Sequence, residues 1–113
     1  MEITFKSKKL EKECSTMREA VRAYGSELAQ VLMRRLTQIK AADTLLDLPP
    51  TKPVRRHLLK GNRGGQFAVD LKHPFRLVFE PDHSPVPQLD DGSVDLTKVT
   101  EIRILEVVDY HGD

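Results

Sequence analysis

The sequence predicts an α+β domain in which helices pack on one face of a small, mostly antiparallel sheet. Three observations lead to this class: a strand pattern near the start, two helical apolar stripes after it, and strand patterns in the second half. A chain of 113 residues has room for one modest core, so we expect a single domain over 1–113. Its 39% hydrophobic and 31% charged residues are typical of a folded globular protein.

The first half predicts one strand followed by two antiparallel helices. Ile3 and Phe5 alternate with polar residues, as in a short strand. Apolar residues at helical spacing then form two stripes that we expect in the core. The first stripe is Leu10, Cys14, Met17, Val21 and Tyr24, and the second is Leu28, Leu32, Leu36 and Ile39. A break at Ser15-Thr16 would divide the first helix. Arg34, Arg35 and Lys40 fall outside the second stripe.

The second half predicts three strands. Phe67 to Leu71 and Phe75 to Phe79 alternate around Lys72-His73-Pro74, which indicates a hairpin. Glu101 to Val108 has apolar residues in both phases, which favours a central strand buried on both faces, or a bulge. The segment 51–65 is polar and basic and is predicted to be mostly loop. The segment 81–99 contains three prolines and is longer than most connections, so it is either a functional loop or an insertion.

Charge is distributed unevenly along the chain, although the formal net charge is only +1. Seven basic residues and one acid, Asp70, lie between Lys52 and Arg76. From Glu80 onward there are nine acids against two basic residues. This asymmetry suggests one surface for a polyanion and another for a different partner. On charge alone, a solvated basic loop explains the pattern equally well.

The sequence lacks the motifs of several classes of protein, and these classes are therefore disfavoured. Cys14 is the one cysteine, so no intramolecular disulfide forms. The first residues have no apolar signal core, and no run reaches the length of a membrane span; we expect a cytoplasmic protein with no membrane partner. The histidines show no metal-site spacing with Cys14, each other or a carboxylate. No nucleotide-binding glycine motif is present. We therefore expect neither a metal nor a cofactor.

The remaining polar residues have the types that RNA cleavage without a metal requires. A base removes the proton of a ribose 2′-OH, cations stabilise the phosphate oxygens, and an acid protonates the leaving 5′-oxygen. Histidine titrates near neutrality, and the arginine fork suits phosphate. Such residues occur in the segment 55–65, at Arg76, and in Asp109-Tyr110-His111. Structural roles stay open at this point: His57 as a surface histidine, or Arg76 paired with Asp70 or Glu80.

At these residues the sequence resembles the RelE/ParE superfamily of bacterial toxins, most closely its HigB-like branch. The resemblance covers almost the whole chain. The matching stretches are Phe5-Lys6, the paired helices, His57-Leu58-Leu59-Lys60-Gly61-Asn62-Arg63, Phe75-Arg76-Leu77-Val78-Phe79 and Asp109-Tyr110-His111. The histidine-x-x-lysine-glycine stretch and the terminal motif are more specific together than either is alone. The resemblance implies a RelE-like fold: a strand, two helices, then an antiparallel sheet.

The resemblance also implies an activity: endonucleolytic cleavage of mRNA in the ribosome, without a metal, restrained by a HigA-like helix-turn-helix antitoxin. The partners would then be that antitoxin, the ribosome and mRNA. By motif position, the catalytic residues would be His57, Arg76, Asp109, Tyr110 and His111. The residues binding RNA phosphate would be Lys60, Arg63, Arg56 and Arg55. Which histidine acts as base stays open. Gln66-Phe67 and the long 81–99 segment depart from the family pattern.

Two other functions are compatible with the same resemblance. One is a ParE-like inhibitor that binds a protein target such as gyrase and cleaves no nucleic acid. The other is an inactive, killer-suppression-type partner in a toxin–antitoxin repressor complex. The presence of both His57 and His111 favours the nuclease, because an inhibitor has no need of proton-transfer groups.

Overall fold

The computed structural model describes residues 1–110 and contains three helices and five strands in that range. In chain order these are β1 (Glu2–Phe5), α1 (Lys8–Glu13), α2 (Met17–Tyr24), α3 (Ser26–Ala41), β2 (His57–Leu58), β3 (Phe67–Asp70), β4 (Phe75–Pro81) and β5 (Glu101–Asp109). Single turns of 3-10 helix lie at Leu45–Asp47, Gly61–Arg63 and Leu96–Lys98. Within 1–110, no helix combines the length and the apolar character needed to cross a membrane.

The strands form one sheet in the order β1-β5-β4-β3-β2. β1 runs parallel to β5, and every other neighbouring pair is antiparallel. This arrangement confirms the predicted fold class and the β3–β4 hairpin. β5 is an interior strand between β1 and β4, but only its Ile102 and Ile104 are buried, so the predicted burial on both faces was wrong in part. The bulge, which was the other prediction for this segment, is confirmed: Val78 pairs with Glu106 but Phe79 pairs with Ile104, so Leu105 has no partner residue on β4. The short strand β2 was not predicted, because its two residues lie within a polar segment.

The main core lies between the helices and one face of the sheet. The second predicted stripe is confirmed, since Leu28, Leu32, Leu36 and Ile39 are all buried. The first stripe was wrong in part: Leu10 and Cys14 are buried, but Met17 is 44% and Val21 37% exposed. The physical reason is the break between α1 and α2. The Thr16 hydroxyl accepts a hydrogen bond from the backbone N–H of Glu19 and starts a new helix, which turns Ala20 inward instead.

Gly25 separates α2 from α3 without any intervening loop. Its φ of +83° lies in the left-handed region that glycine adopts readily. Its N–H donates to the Val21 carbonyl at the end of α2, and its carbonyl accepts from Ala29 at the start of α3. One residue therefore ends one helix and begins the next, and the two helices pack against each other.

Arg35 is the main departure from the predicted pattern of α3. It is 4% exposed, although the sequence analysis placed it outside the apolar stripe. Its Nε donates to the Asp70 carbonyl at 2.7 Å, its Nη2 to the Pro53 carbonyl at 3.1 Å, and its Nη1 to Gln38 Oε1 at 3.2 Å. Arg35 thereby ties α3 to the end of β3 and to the segment that precedes β2.

Candidate active site

The sheet face opposite the helices carries the candidate site. Side chains alternate between faces along a strand, so Ala68 and Asp70 on β3, and Arg76 and Val78 on β4, point away from the helices. A second, smaller apolar cluster forms here. It consists of Leu59, Ala68 and Val78, with Leu105, Val108 and Tyr110 packed against them. The polar residues of this face lie beside this packed apolar cluster.

His57 belongs to the same face, because it lies directly opposite Ala68 in the β2–β3 pair. Its Nδ1 is 2.7 Å from the carbonyl oxygen of Arg55. A carbonyl oxygen only accepts, so Nδ1 carries the hydrogen and Nε2 of the neutral ring has the lone pair. Nε2 is buried and has no hydrogen-bond partner among residues 1–110. The ring is therefore held in the tautomer that a proton acceptor needs.

Asp70 binds the side chain of Arg55, the residue whose backbone carbonyl contacts His57. Its carboxylate accepts two hydrogen bonds from the Arg55 guanidinium, at 2.7 and 2.9 Å, and these bonds raise the pKa of Arg55. Arg55 itself has a φ of +49°, in the left-handed region, where a residue with a side chain is uncommon. Arg76 Nε lies 3.8 Å from the same carboxylate. Asp70 thus contacts Arg76 directly and supports His57 through Arg55.

Two guanidinium groups converge on the ring of Tyr110. The Cζ atom of Arg76 lies 4.4 Å from the ring centroid, and that of Arg63 lies 5.8 Å from it, both within the range of a cation–π interaction. The backbone N–H of Tyr110 donates to the Pro74 carbonyl at 3.0 Å. Its hydroxyl is buried without a hydrogen-bond partner in the described part of the chain. In this arrangement one ring contacts two guanidinium groups, and guanidinium is a group that suits phosphate oxygens.

The other predicted site residues are placed less centrally. Lys60 is exposed in the segment between β2 and β3. Arg56 Nε donates to the Leu48 carbonyl at 2.9 Å, and burial lowers the pKa of Arg56. Asp109 is exposed at the end of β5. His111 lies outside the described residues.

Two carboxylates of the site, Asp70 and Glu106, were not among the predicted site residues. Glu106 Oε1 lies 2.5 Å from Arg63 Nη2. Both had a visible signal in the sequence. Asp70 is the one acid in the basic stretch, and Glu106 is an acid within the apolar run of β5. The pairing of Asp70 with Arg76 was one of the roles that the sequence left open, and it is present at 3.8 Å. The pairs of Asp70 with Arg55 and of Glu106 with Arg63 had no such signal, because they join residues distant in the sequence.

A cavity of about 750 Å³ lies apart from the arginine–tyrosine cluster. It is formed by β2, the 3-10 turn at Leu45–Asp47 and the 81–99 segment, and Leu46, Leu58 and Leu89 give it an apolar rim. Of the predicted site residues, only Arg56 lines it. Within residues 1–110, no group of three or more histidine, cysteine or carboxylate side chains is arranged to hold a metal ion.

Three solved structures are similar to this chain. The YoeB–YefM complex from Staphylococcus aureus matches with a TM-score of 0.55 and 17% identity, over 98% of this chain and 97% of that one. The YoeB/ParE toxin from Agrobacterium tumefaciens matches with 0.57 and 10%, over 98% and 100%. The YoeB dimer from S. aureus matches with 0.53 and 19%, over 98% and 97%. This chain has their fold.

At these identities the likeness is one of fold, and the RelE-type α+β arrangement that the sequence resemblance implies is thereby confirmed. No family model matches the sequence, and no curated protein matches it.

Proposed function

We propose that this protein is the toxin of a toxin–antitoxin pair and cleaves mRNA bound in the ribosome. The observation that carries the proposal is the convergence of Arg63 and Arg76 on Tyr110, on the sheet face that also carries His57. The HigB-like motifs and the fold shared with YoeB and YoeB/ParE toxins support the toxin role.

The proposed reaction is attack of a ribose 2′-oxygen on the adjacent phosphorus. The 2′-OH proton passes to Nε2 of His57, the O2′–P bond forms, and the P–O5′ bond breaks. Arg63 and Arg76 stabilise the charge that accumulates on the non-bridging oxygens, and one such contact typically contributes roughly 10²–10³ in rate. We assign the proton that reaches the departing O5′ to the Asp109-Tyr110-His111 motif, which the resemblance places among the catalytic residues. Because Nε2 is buried here, RNA binding has to uncover it.

Dependence on the ribosome follows from the weak attraction of this surface for free RNA. The net charge is only +1, and Asp70 and Glu106 already contact site arginines. Capture of a polyanion relies on uncompensated positive charge. A ribosome that presents the mRNA already bent would supply the alignment that this site does not obtain by binding alone.

A protein partner is part of the proposal. One similar structure is that of YoeB with YefM, which supports binding of this chain to a second protein. The HigB-like motifs favour a HigA-like helix-turn-helix antitoxin, and the ribosome and mRNA as the other partners. A cytoplasmic location follows if these partners are correct.

The test uses a defined mRNA with and without programmed ribosomes, and both ends of each product are mapped. We expect cleavage only with ribosomes, a 2′,3′-cyclic phosphate or 3′-phosphate upstream, and a 5′-hydroxyl downstream. A 5′-phosphate product would overturn the 2′-OH mechanism, and equal cutting of naked RNA would overturn ribosome dependence. If neither substrate is cut, a ParE-like inhibitor or an inactive partner replaces the nuclease.

A further inference from the structure

Glu106 lies within the candidate site. It pairs with Val78 across β4 and β5, and Val78 pairs with Ala68, which pairs with His57. These four residues form one row across the sheet on the face opposite the helices. The Glu106 side chain is 41% exposed, and that of its partner Arg63 is 35% exposed. The ion pair therefore lies at the surface of the site, where RNA can reach it.

Arg63 needs an anchor more than Arg76 does. Arg76 projects from a regular strand, whereas Arg63 belongs to a single 3-10 turn between β2 and β3. A free arginine side chain carries about 2 kcal/mol of rotamer entropy, which is lost when its guanidinium is held against a ring. The hydrogen bond to Glu106 at 2.5 Å and that to Gln66 at 3.3 Å oppose this loss.

We propose that Glu106 is a positioning residue that holds Arg63 over Tyr110, so that Arg63 and Arg76 together form a clamp for the RNA phosphate. The use of the clamp in catalysis rests on the proposed function. The carboxylate repels phosphate and cannot bind it directly, so Glu106 acts through the guanidinium that it orients. Incoming phosphate then meets two guanidinium groups already in position. Arg63 gives up part of its contact with Glu106 and contacts the phosphate instead.

Two substitutions separate orientation from charge. Glu106→Gln keeps an oxygen acceptor at the same distance from the backbone and removes the charge. Glu106→Ala removes both the acceptor and the charge. If Glu106 positions Arg63, the glutamine variant retains the rate of bound substrate and the alanine variant loses it. Both variants bind RNA more tightly than wild type, because a negative charge has left the site.

The kinetic measurement is single-turnover cleavage on programmed ribosomes, with rate and half-saturation determined separately. We expect Glu106→Ala to be about 10-fold to 30-fold slower at saturation, less than the full loss of one charge contact. Glu106→Gln should stay within about threefold of wild type. The matched control is Glu80→Ala, an acid on β4 outside the site, which should leave the rate unchanged. An unchanged rate for Glu106→Ala, or a glutamine variant as slow as the alanine variant, overturns the proposal.

A second measurement does not depend on cleavage. The guanidinium nitrogens of Arg63 are followed by NMR in the whole chain and assigned by their absence in Arg63→Lys. Hindered rotation in wild type and Glu106→Gln should give separate Nη signals, and Glu106→Ala should give one averaged signal. Averaged signals in wild type would overturn the positioning. Separate signals in a chain that cleaves no RNA would uphold it and remove only the proposed nuclease function.

Discussion

Replacing Arg35 by methionine should destabilise the fold far more than the same change at the adjacent Arg34. Arg35 is buried and donates to the carbonyls of Asp70 and Pro53, whereas Arg34 is exposed. Methionine retains much of the aliphatic volume of arginine. The substitution at Arg35 therefore removes the hydrogen bonds and the charge, and leaves two carbonyl groups without their donor.

The magnitude comes from two opposing terms. A hydrogen bond from a charged donor contributes roughly 1.5–3 kcal/mol, so losing both bonds to the backbone costs about 3–6 kcal/mol. The Arg35 charge is itself held in an unfavourable place: desolvation by burial lowers the pKa of Arg35, and the nearby charge of Arg34 lowers it further. Removing a buried charge is stabilising, so this effect offsets part of the free energy lost with the hydrogen bonds. We expect a net decrease of about 3 kcal/mol in the free energy of unfolding, or about 12 °C in Tm for a domain of this size.

The assay is urea unfolding of wild type, Arg35→Met and Arg34→Met, followed by far-ultraviolet circular dichroism. With unchanged slopes, the shift of the midpoint gives the difference in stability. Arg34→Met should stay within about 0.5 kcal/mol of wild type. Equal stabilities for the two variants, or an Arg35→Met variant as stable as wild type, would refute the role of Arg35 as a buried tie between α3 and the sheet.

The site and the core each allow one further prediction. Arg76→Ala should lower the rate of single-turnover cleavage roughly 10²–10³-fold while the protein stays folded. The control is Arg18→Ala, because Arg18 is an exposed arginine on α2. If Arg76→Ala unfolds the protein instead, Arg76 is a structural residue. Burial, with a smaller effect of Glu13, raises the pKa of the Cys14 thiol to about 11 from 9.0. The folded state therefore keeps its thiol proton between these values while the unfolded state releases it, and stability should fall as the pH rises from 9 to 11. Cys14→Ala should flatten that fall, and Cys14 labelling at pH 8 should be far slower in buffer than in urea; equal labelling rates would contradict the burial.

Elements whose signal is local could be predicted from the residues alone. The alternation before and after Lys72-His73-Pro74 predicted the β3–β4 hairpin, because side chains of a strand alternate between a buried and an open face. The stripe from Leu28 to Ile39 predicted α3 for the equivalent reason at helical spacing. Apolar residues in both phases of β5 predicted a strand inside the sheet or a bulge, and β5 lies between two other strands and carries a bulge. The family resemblance singled out His57, Arg63, Arg76 and Tyr110 as site residues.

Which of the locally equivalent residues are buried, and which charges pair, depends on contacts between distant parts of the chain. Arg34 and Arg35 both fall outside the apolar stripe in the sequence, but Arg35 is the one of the two that donates hydrogen bonds to the carbonyl groups of Asp70 and Pro53. Glu106 lies 43 residues from Arg63 along the chain, and no periodicity connects them. A side chain's burial and partners depend on elements that fold against it from elsewhere, so they emerge when the sheet order and register are set.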